Sequence, residues 1–188
     1  MTVRGLAVVA GACFLISGAF AQSTVNTRRK DQQDRIANGV QSGQLSAGET
    51  KSLEGKQANL NREIRDDRQA NGGHLSSAER SQVNRQQNHL SNQIYADKHN
   101  ANTAHYGNGE VGQRRENQQD RIASGIRNGS LKPGEASKLE NREQGVNQQI
   151  RADRQANGGH LSQQQAKQVN ASQNRASNAI YKLSLIHI

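Results

Sequence analysis

Apolar residues along the chain recur at spacings of seven and then four. Leu53, Leu60 and Ile64 set the pattern, and Val83, Leu90 and Ile94 repeat it 30 residues later. It returns in Leu139, Val146 and Ile150, and again in Val169, Ala176 and Ile180. Such a stripe follows the 3.6-residue turn of a helix and not the alternation of a strand. The polar residues between the stripes punctuate the same helices. Ser46 with Glu49, Ser76 with Glu79 and Ser162 with Gln165 have the spacing of a capping box, in which hydroxyl and N3 side chain each satisfy the other's backbone N–H. Pro133 suits a first helical position, where its missing N–H costs nothing. Asn71-Gly72-Gly73 and Asn157-Gly158-Gly159 are stop signals, because glycine accepts the left-handed conformation of a helix end. The pattern predicts helices near 28–41, 47–70, 77–98, 114–127, 133–156 and 163–182, with almost no strand. The expected fold class is all-α.

The stripes belong to a duplication. Residues 28–95 align with 114–181 at a constant offset of 86, without gaps and with 37 identities in 68 positions. Asp67 to Ser76 recurs unchanged as Asp153 to Ser162. The expected organisation is therefore two tandem small bundles of about three helices each, over 28–99 and 114–182. The segment 100–113 has no periodicity and contains Gly107 and Gly109, which reads as a flexible linker. Each copy offers about ten aliphatic side chains, a thin supply against the entropy of ordering 70 residues, so the core is expected to be marginal.

Both ends differ from the repeats. Residues 1–21 place one positive charge, Arg4, before a short apolar run ending in Ala19-Phe20-Ala21. That is the layout of a secretory signal peptide cleaved after Ala21, and no second hydrophobic stretch follows that would span a membrane. The expected location is secreted or periplasmic. At the other end copy one continues past Tyr95 as Ala96-Asp97-Lys98, whereas copy two runs from Lys182 into Leu183-Ser184-Leu185-Ile186-His187-Ile188. This apolar hexamer, 183–188, resembles the in-frame translation of a transposase sequencing adapter and is read as a non-native tail.

Composition narrows the chemistry. The single Cys, the single Met and both Phe lie within the first 20 residues, and there is no Trp. Beyond them the chain has no sulfur, which excludes a disulfide scaffold, a thiol nucleophile and a Cys-ligated zinc site. No nucleophile elbow or P-loop is present. His74, His89, His99, His105 and His160 fall at no metal-ligand spacing and are expected in solvent. The net charge of +9 favours an anionic partner, yet basic residues are interleaved with acidic ones and no aromatic platform exists for stacking bases. Specific nucleic-acid binding is not expected.

Between consecutive stripes the chain reads Gly43-x-Leu45-Ser46-x-x-Glu49 and Gly73-x-Leu75-Ser76-x-x-Glu79. These segments resemble the EF-hand loop, with Gly sixth, an aliphatic eighth and Glu twelfth. What the resemblance implies is a degenerate EF-hand pair in each copy, with Asn38, Ser42, Glu49, Asp67, Asn71, Glu79, Asn128 and Glu135 as candidate calcium ligands. Most early ligand positions depart from that pattern: Val40, Arg68, Ala70, Gly72, Ser124 and Ile126 stand where carboxylates belong, and Gln165 replaces the fourth Glu. No bound cofactor or metal is therefore expected, calcium being the alternative. The chain is also similar to uncharacterised secreted bacterial proteins that repeat SGQLxxGE and ADRxANGGxL segments. The function expected from these observations is an exported, non-catalytic structural or interaction protein whose partner is an envelope protein or an anionic polymer. The alternatives are a calcium-responsive module and a partly disordered, hydrophilin-like protectant or polyanion binder.

Overall fold

In a computed structural model, residues 16–185 are described, with side chains from residue 24 onward, and they form six α-helices. These are α1 (Ile16–Gln41), α2 (Ala47–Ala70), α3 (Ser77–Lys98), α4 (Glu110–Asn128), α5 (Pro133–Ala156) and α6 (Gln163–Leu185). The all-α expectation holds, and no strand occurs among the described residues. Ser46 and Ser76 close their capping boxes with Glu49 and Glu79, and Ser162 does so with Gln165. Glu135 accepts from the Lys132 N–H at 2.9 Å, so the Pro133 start keeps half of the device. Gly73 and Gly159, with φ of 95° and 94°, let their N–H groups turn back onto the Arg68 and Arg154 carbonyls at 2.7 Å.

The helix starts differ from expectation in α1 and α4, which begin upstream of 28 and 114. The reason is that the repeat itself begins earlier. Val25 and Val111 stand at the same offset of 86, each accepting a hydrogen bond on its carbonyl from Gln87 and Gln173 respectively. Ala21, the expected cleavage point, falls within α1. Most of the expected signal segment, residues 1–15, lies outside the described residues, as do 186–188. Of the remaining tail, Leu183 packs against the main core and Leu185 is exposed.

Within each copy the three helices do pack together, α3 on α1 and α2, and α6 on α4 and α5. The expected separation into two tandem bundles is not what the core shows. One apolar cluster contains Ile36, Val40, Leu45, Leu53 and Ile94 together with their repeat counterparts Ile122, Ile126, Leu131, Leu139 and Ile180. Only the smaller end clusters belong to one copy, around Val25, Leu60, Ile64, Leu75 and Val83, and around Val146, Ile150 and Val169. The most extensive helix pairing joins α2 to α5, followed by α1 with α4. Both pairings are between counterparts. Gly48 lies against Gln144 while Gly134 lies against Ala58, and Ser137 Oγ donates to the carbonyl of its own counterpart Lys51 at 3.0 Å. Reciprocal contacts of this kind define a pseudo-two-fold axis, with α2 and α5 antiparallel across it. The thin apolar supply of each copy is thus pooled.

Buried amides complete the packing. Gln32 donates to the Gln87 carbonyl at 2.7 Å, and Gln118 to the Gln173 carbonyl at 2.7 Å. These four glutamines are buried and fasten α3 to α1 and α6 to α4. Each such bond contributes about 1 kcal/mol net, and far more is lost if one partner is removed and the other left buried.

Candidate functional site

Of the candidate calcium ligands the structure brings Asn71 and Glu79 together, at 2.8 Å, and does not gather them into one site with the others. The 12-residue loops implied by the EF-hand resemblance are not present as loops: Asn38 lies inside α1 and Asp67 inside α2. Asn38 accepts from Arg127 at 2.9 Å, and the Ser42 hydroxyl turns onto the Gly39 carbonyl and Gln44. Glu49 is half-buried. Burial raises its pKa, but hydrogen bonds from Ser46, Asn100 and Asn102 outweigh this and hold it below the usual range. Glu79 is tied to the Ser76 N–H and to the Asn71 amide, which lowers its pKa, while desolvation raises Asp67, with the like charges of Glu79, Glu63 and Asp66 adding to it. Asn128 accepts from the Ser130 N–H, and Glu135 from Lys132. These groups cap helices and turns. Among the described residues no three His, Cys, Asp or Glu side chains converge as a metal site. All five histidines named above are exposed.

Two features that sequence reasoning missed lie at the copy interface. The first is a set of buried carboxyls. Glu54 and its counterpart Glu140 are fully buried at the α2–α5 seam, and Glu143 is 1 % exposed. Gln33 donates to Glu54 at 3.2 Å and Gln119 to Glu140 at 3.1 Å. Desolvation pushes Glu54 up to about 8 against the weaker pull of Gln33. Desolvation drives Glu140 well above the usual range, with Glu143 and Glu54 adding like-charge repulsion. Burial lifts Glu143 to about 7, opposed by Arg115. The match of Glu54 with Glu140 across the copies was visible, but a Glu on a charged helix reads as solvated.

The second is a pair of counterpart grooves. One cavity of about 620 Å³ runs between α1, α2 and the start of α5 and is lined by Arg29, Arg62, Arg65, Arg68, Lys132 and Lys138, with Glu135 as its one carboxylate and Arg65 reaching Asp66 at 3.7 Å. A neighbouring cavity of about 420 Å³ shares Arg29, Asn61, Lys132 and Pro133 and continues to Gly129 and Lys30. The pseudo-two-fold axis repeats this surface around Arg115, Asn147, Arg151 and Arg154, beside Ser46. There, however, the chain fills its own groove. The segment 103–106 folds back so that Ala104 donates to the Gly43 carbonyl at 2.8 Å, and Arg115 stands 5.1 Å above the Tyr106 ring. The expected flexible linker is therefore anchored at several points, with Asn100 and Asn102 also donating to Glu49. Gly112 makes this path available: a Cβ there would lie 2.2 Å from the Tyr106 carbonyl oxygen and 2.3 Å from that of Gly107. Gly112→Ala is accordingly expected to dislodge 102–109, costing about 1–3 kcal/mol and raising amide exchange selectively in that segment.

Among the described residues no segment fills the first groove in this way. At the positions that correspond to the linker turn, α1 continues as helix, and residue 20, which aligns with Tyr106, lies inside it. Gly129, the counterpart of Gly43, faces open space. The two grooves also differ in charge at six aligned positions, each in the same direction, Arg127 standing where copy one has Gln41. Lys132 and Lys138 replace Ser46 and Ser52, and Arg62 replaces Gln148. Lys30 stands where copy two has Glu116, and Gln57 where it has Glu143. An alignment of the copies contained this signal, but nothing in it said that these positions share a surface. No family model, curated protein or solved structure matches the chain.

Proposed function

We propose that the protein is an exported, non-catalytic interaction protein of the bacterial envelope or extracellular space, and that it holds an anionic partner in the open groove between α1, α2 and the start of α5. The observation that carries this reading is the one-sided divergence of the two grooves. Where the copy-two groove balances Arg115 with Glu143 and seats Tyr106 against it, the copy-one groove sets Arg29 beside Arg68 with Gln57 in the place of that acid, and six cations line its larger cavity with Glu135 as the carboxylate. Desolvation and the Arg68 charge both lower the pKa of Arg29, so the uncompensated cations are held close at an energetic cost. A bound anion relieves that cost. The dispersed histidines and the sealed carboxyls support a binding role over a catalytic one.

The second copy supplies the test. Lys132→Ser, Lys138→Ser and Arg62→Gln install residues that the same fold already accepts in the other groove. The triple variant is expected to keep its helicity and melting temperature while binding polyglutamate at least tenfold more weakly at low salt. Titration of a labelled polyglutamate followed by anisotropy measures this, and equal affinity of the two proteins would refute the reading.

A further inference from the structure

Resting on that reading of the groove, we infer that its occupant is an extended peptide segment of another protein, in which an aromatic side chain is flanked by carboxylates. The molecule shows what fits such a surface, because its own counterpart groove is filled by one. That filling has two parts. A backbone N–H, that of Ala104, reaches the carbonyl of the loop glycine Gly43 at 2.8 Å. An aromatic ring, that of Tyr106, lies against the guanidinium of Arg115.

Both receiving groups have counterparts in the open groove. Gly129 has φ of 78°, close to the 70° of Gly43, so the loop carbonyl is carried by the same backbone conformation, with open space over its α-carbon. Arg29 is held ready for a ring. Its Nε donates to Asn61 Oδ1 at 2.6 Å and its Nη1 to Asn26 Oδ1 at 3.4 Å. Asn26 also receives Arg68, whose Nε is buried without a hydrogen-bond partner. A guanidinium fixed by its edge presents its face, and a face is what an aromatic ring engages.

The differences between the grooves specify the rest of the peptide. The internal segment is Thr103-Ala104-His105-Tyr106, without a carboxylate, and it sits where copy two supplies Glu143 and Glu116. The open groove lacks those two acids; Lys30 pairs with Asp34 at 2.6 Å, but Lys132 and Lys138 join Arg29, Arg62, Arg65 and Arg68 around the single carboxylate Glu135, so the occupant brings the remaining negative charge. An anionic polysaccharide or a nucleic acid answers the charge, but neither supplies the backbone N–H that meets the loop carbonyl.

The test uses the purified full-length chain and three synthetic nonapeptides: one with a central Tyr between Glu residues, one with that Tyr replaced by Ala, and one with the Glu residues replaced by Gln. The acidic Tyr peptide is expected to bind with one site per chain. Loss of the ring weakens it about fivefold, as removal of one cation–π contact does, and loss of the carboxylates weakens it more and abolishes its salt dependence. Arg29→Gln is expected to erase the preference for Tyr over Ala while leaving the salt dependence in place. Equal binding of the two acidic peptides, or equally tight binding of a sulfated polysaccharide or single-stranded DNA, would overturn the aromatic-peptide inference and leave the anionic groove standing. Binding that is unchanged in the Lys132→Ser, Lys138→Ser, Arg62→Gln variant, or absent for every anionic probe, would overturn both.

Discussion

Replacing Glu54 and Glu140 by Gln flattens the dependence of stability on pH. In the native chain both carboxyls are buried and kept protonated, Glu54 with a pKa raised to about 8. An unfolded Glu titrates near 4.3. Between these values the folded protein holds a proton that the unfolded chain has released, so raising the pH favours unfolding. The stabilisation is complete below about pH 4 and drains away as the pH climbs through 8. For Glu54 alone the loss is on the order of 5 kcal/mol, and Glu140 adds to it. The double variant carries no such proton. It is expected to be slightly less stable than the native chain at pH 5, because a buried amide has an extra N–H to satisfy, and clearly more stable at pH 9. Urea melts at pH 5, 7 and 9 measure the crossing, and parallel profiles for the two proteins would show that these carboxyls ionise freely in the fold.

The two copies are expected to unfold as one unit. Leu53 and Leu139 are counterparts within a single cluster, so truncating either removes packing from both halves. Each Leu→Ala change should cost about 2–5 kcal/mol and move one common transition, whichever copy carries it. The same reasoning predicts that residues 24–108, expressed without the second copy, lose most of their helicity at low concentration, since they then expose Leu53, Ile36 and Val40 together with Glu54. Circular dichroism across a concentration series follows this. A native chain melting in two steps, with each Leu→Ala variant shifting only its own step, would refute the shared core.

Much of the fold was legible because its signals are local. Helix stops at Gly73 and Gly159, caps at Ser46, Ser76 and Ser162, and the seven-and-four spacing of the stripes all act within a turn or two of the chain. What the sequence did not disclose was where the stripes go. Leu53 looks the same whether it packs on its own copy or on the other one, and only the pairing of α2 with α5 decides. The buried glutamines and Glu54 were hidden for a related reason. Their side chains bond groups more than 20 residues away, such as Gln32 with the Gln87 carbonyl, so local polarity reads as exposure. The EF-hand likeness misled through the same caps it rested on. Gly, Leu, Ser and Glu at those spacings are what any tight turn into a capped helix requires, and the Glu oxygens are taken up by the cap.

The groove pair was the least legible part, since its evidence is a difference between copies that matters only once α1, α2 and α5 meet. Lys132 in isolation is an exposed N-terminal residue of a helix. Beside Arg29, Arg62 and Lys138 it is one wall of a cavity.

The self-filled groove also fixes the valency of the molecule. Two symmetric sites would let one particle join two partner segments and build a network, with the avidity that bridging brings. With Tyr106 seated on Arg115, one of the two sites is closed from within by a covalently attached segment whose effective concentration no outside ligand readily matches. On the binding role proposed above, a chain of this design would engage its targets singly, as a cap on what it binds and not as a cross-linker.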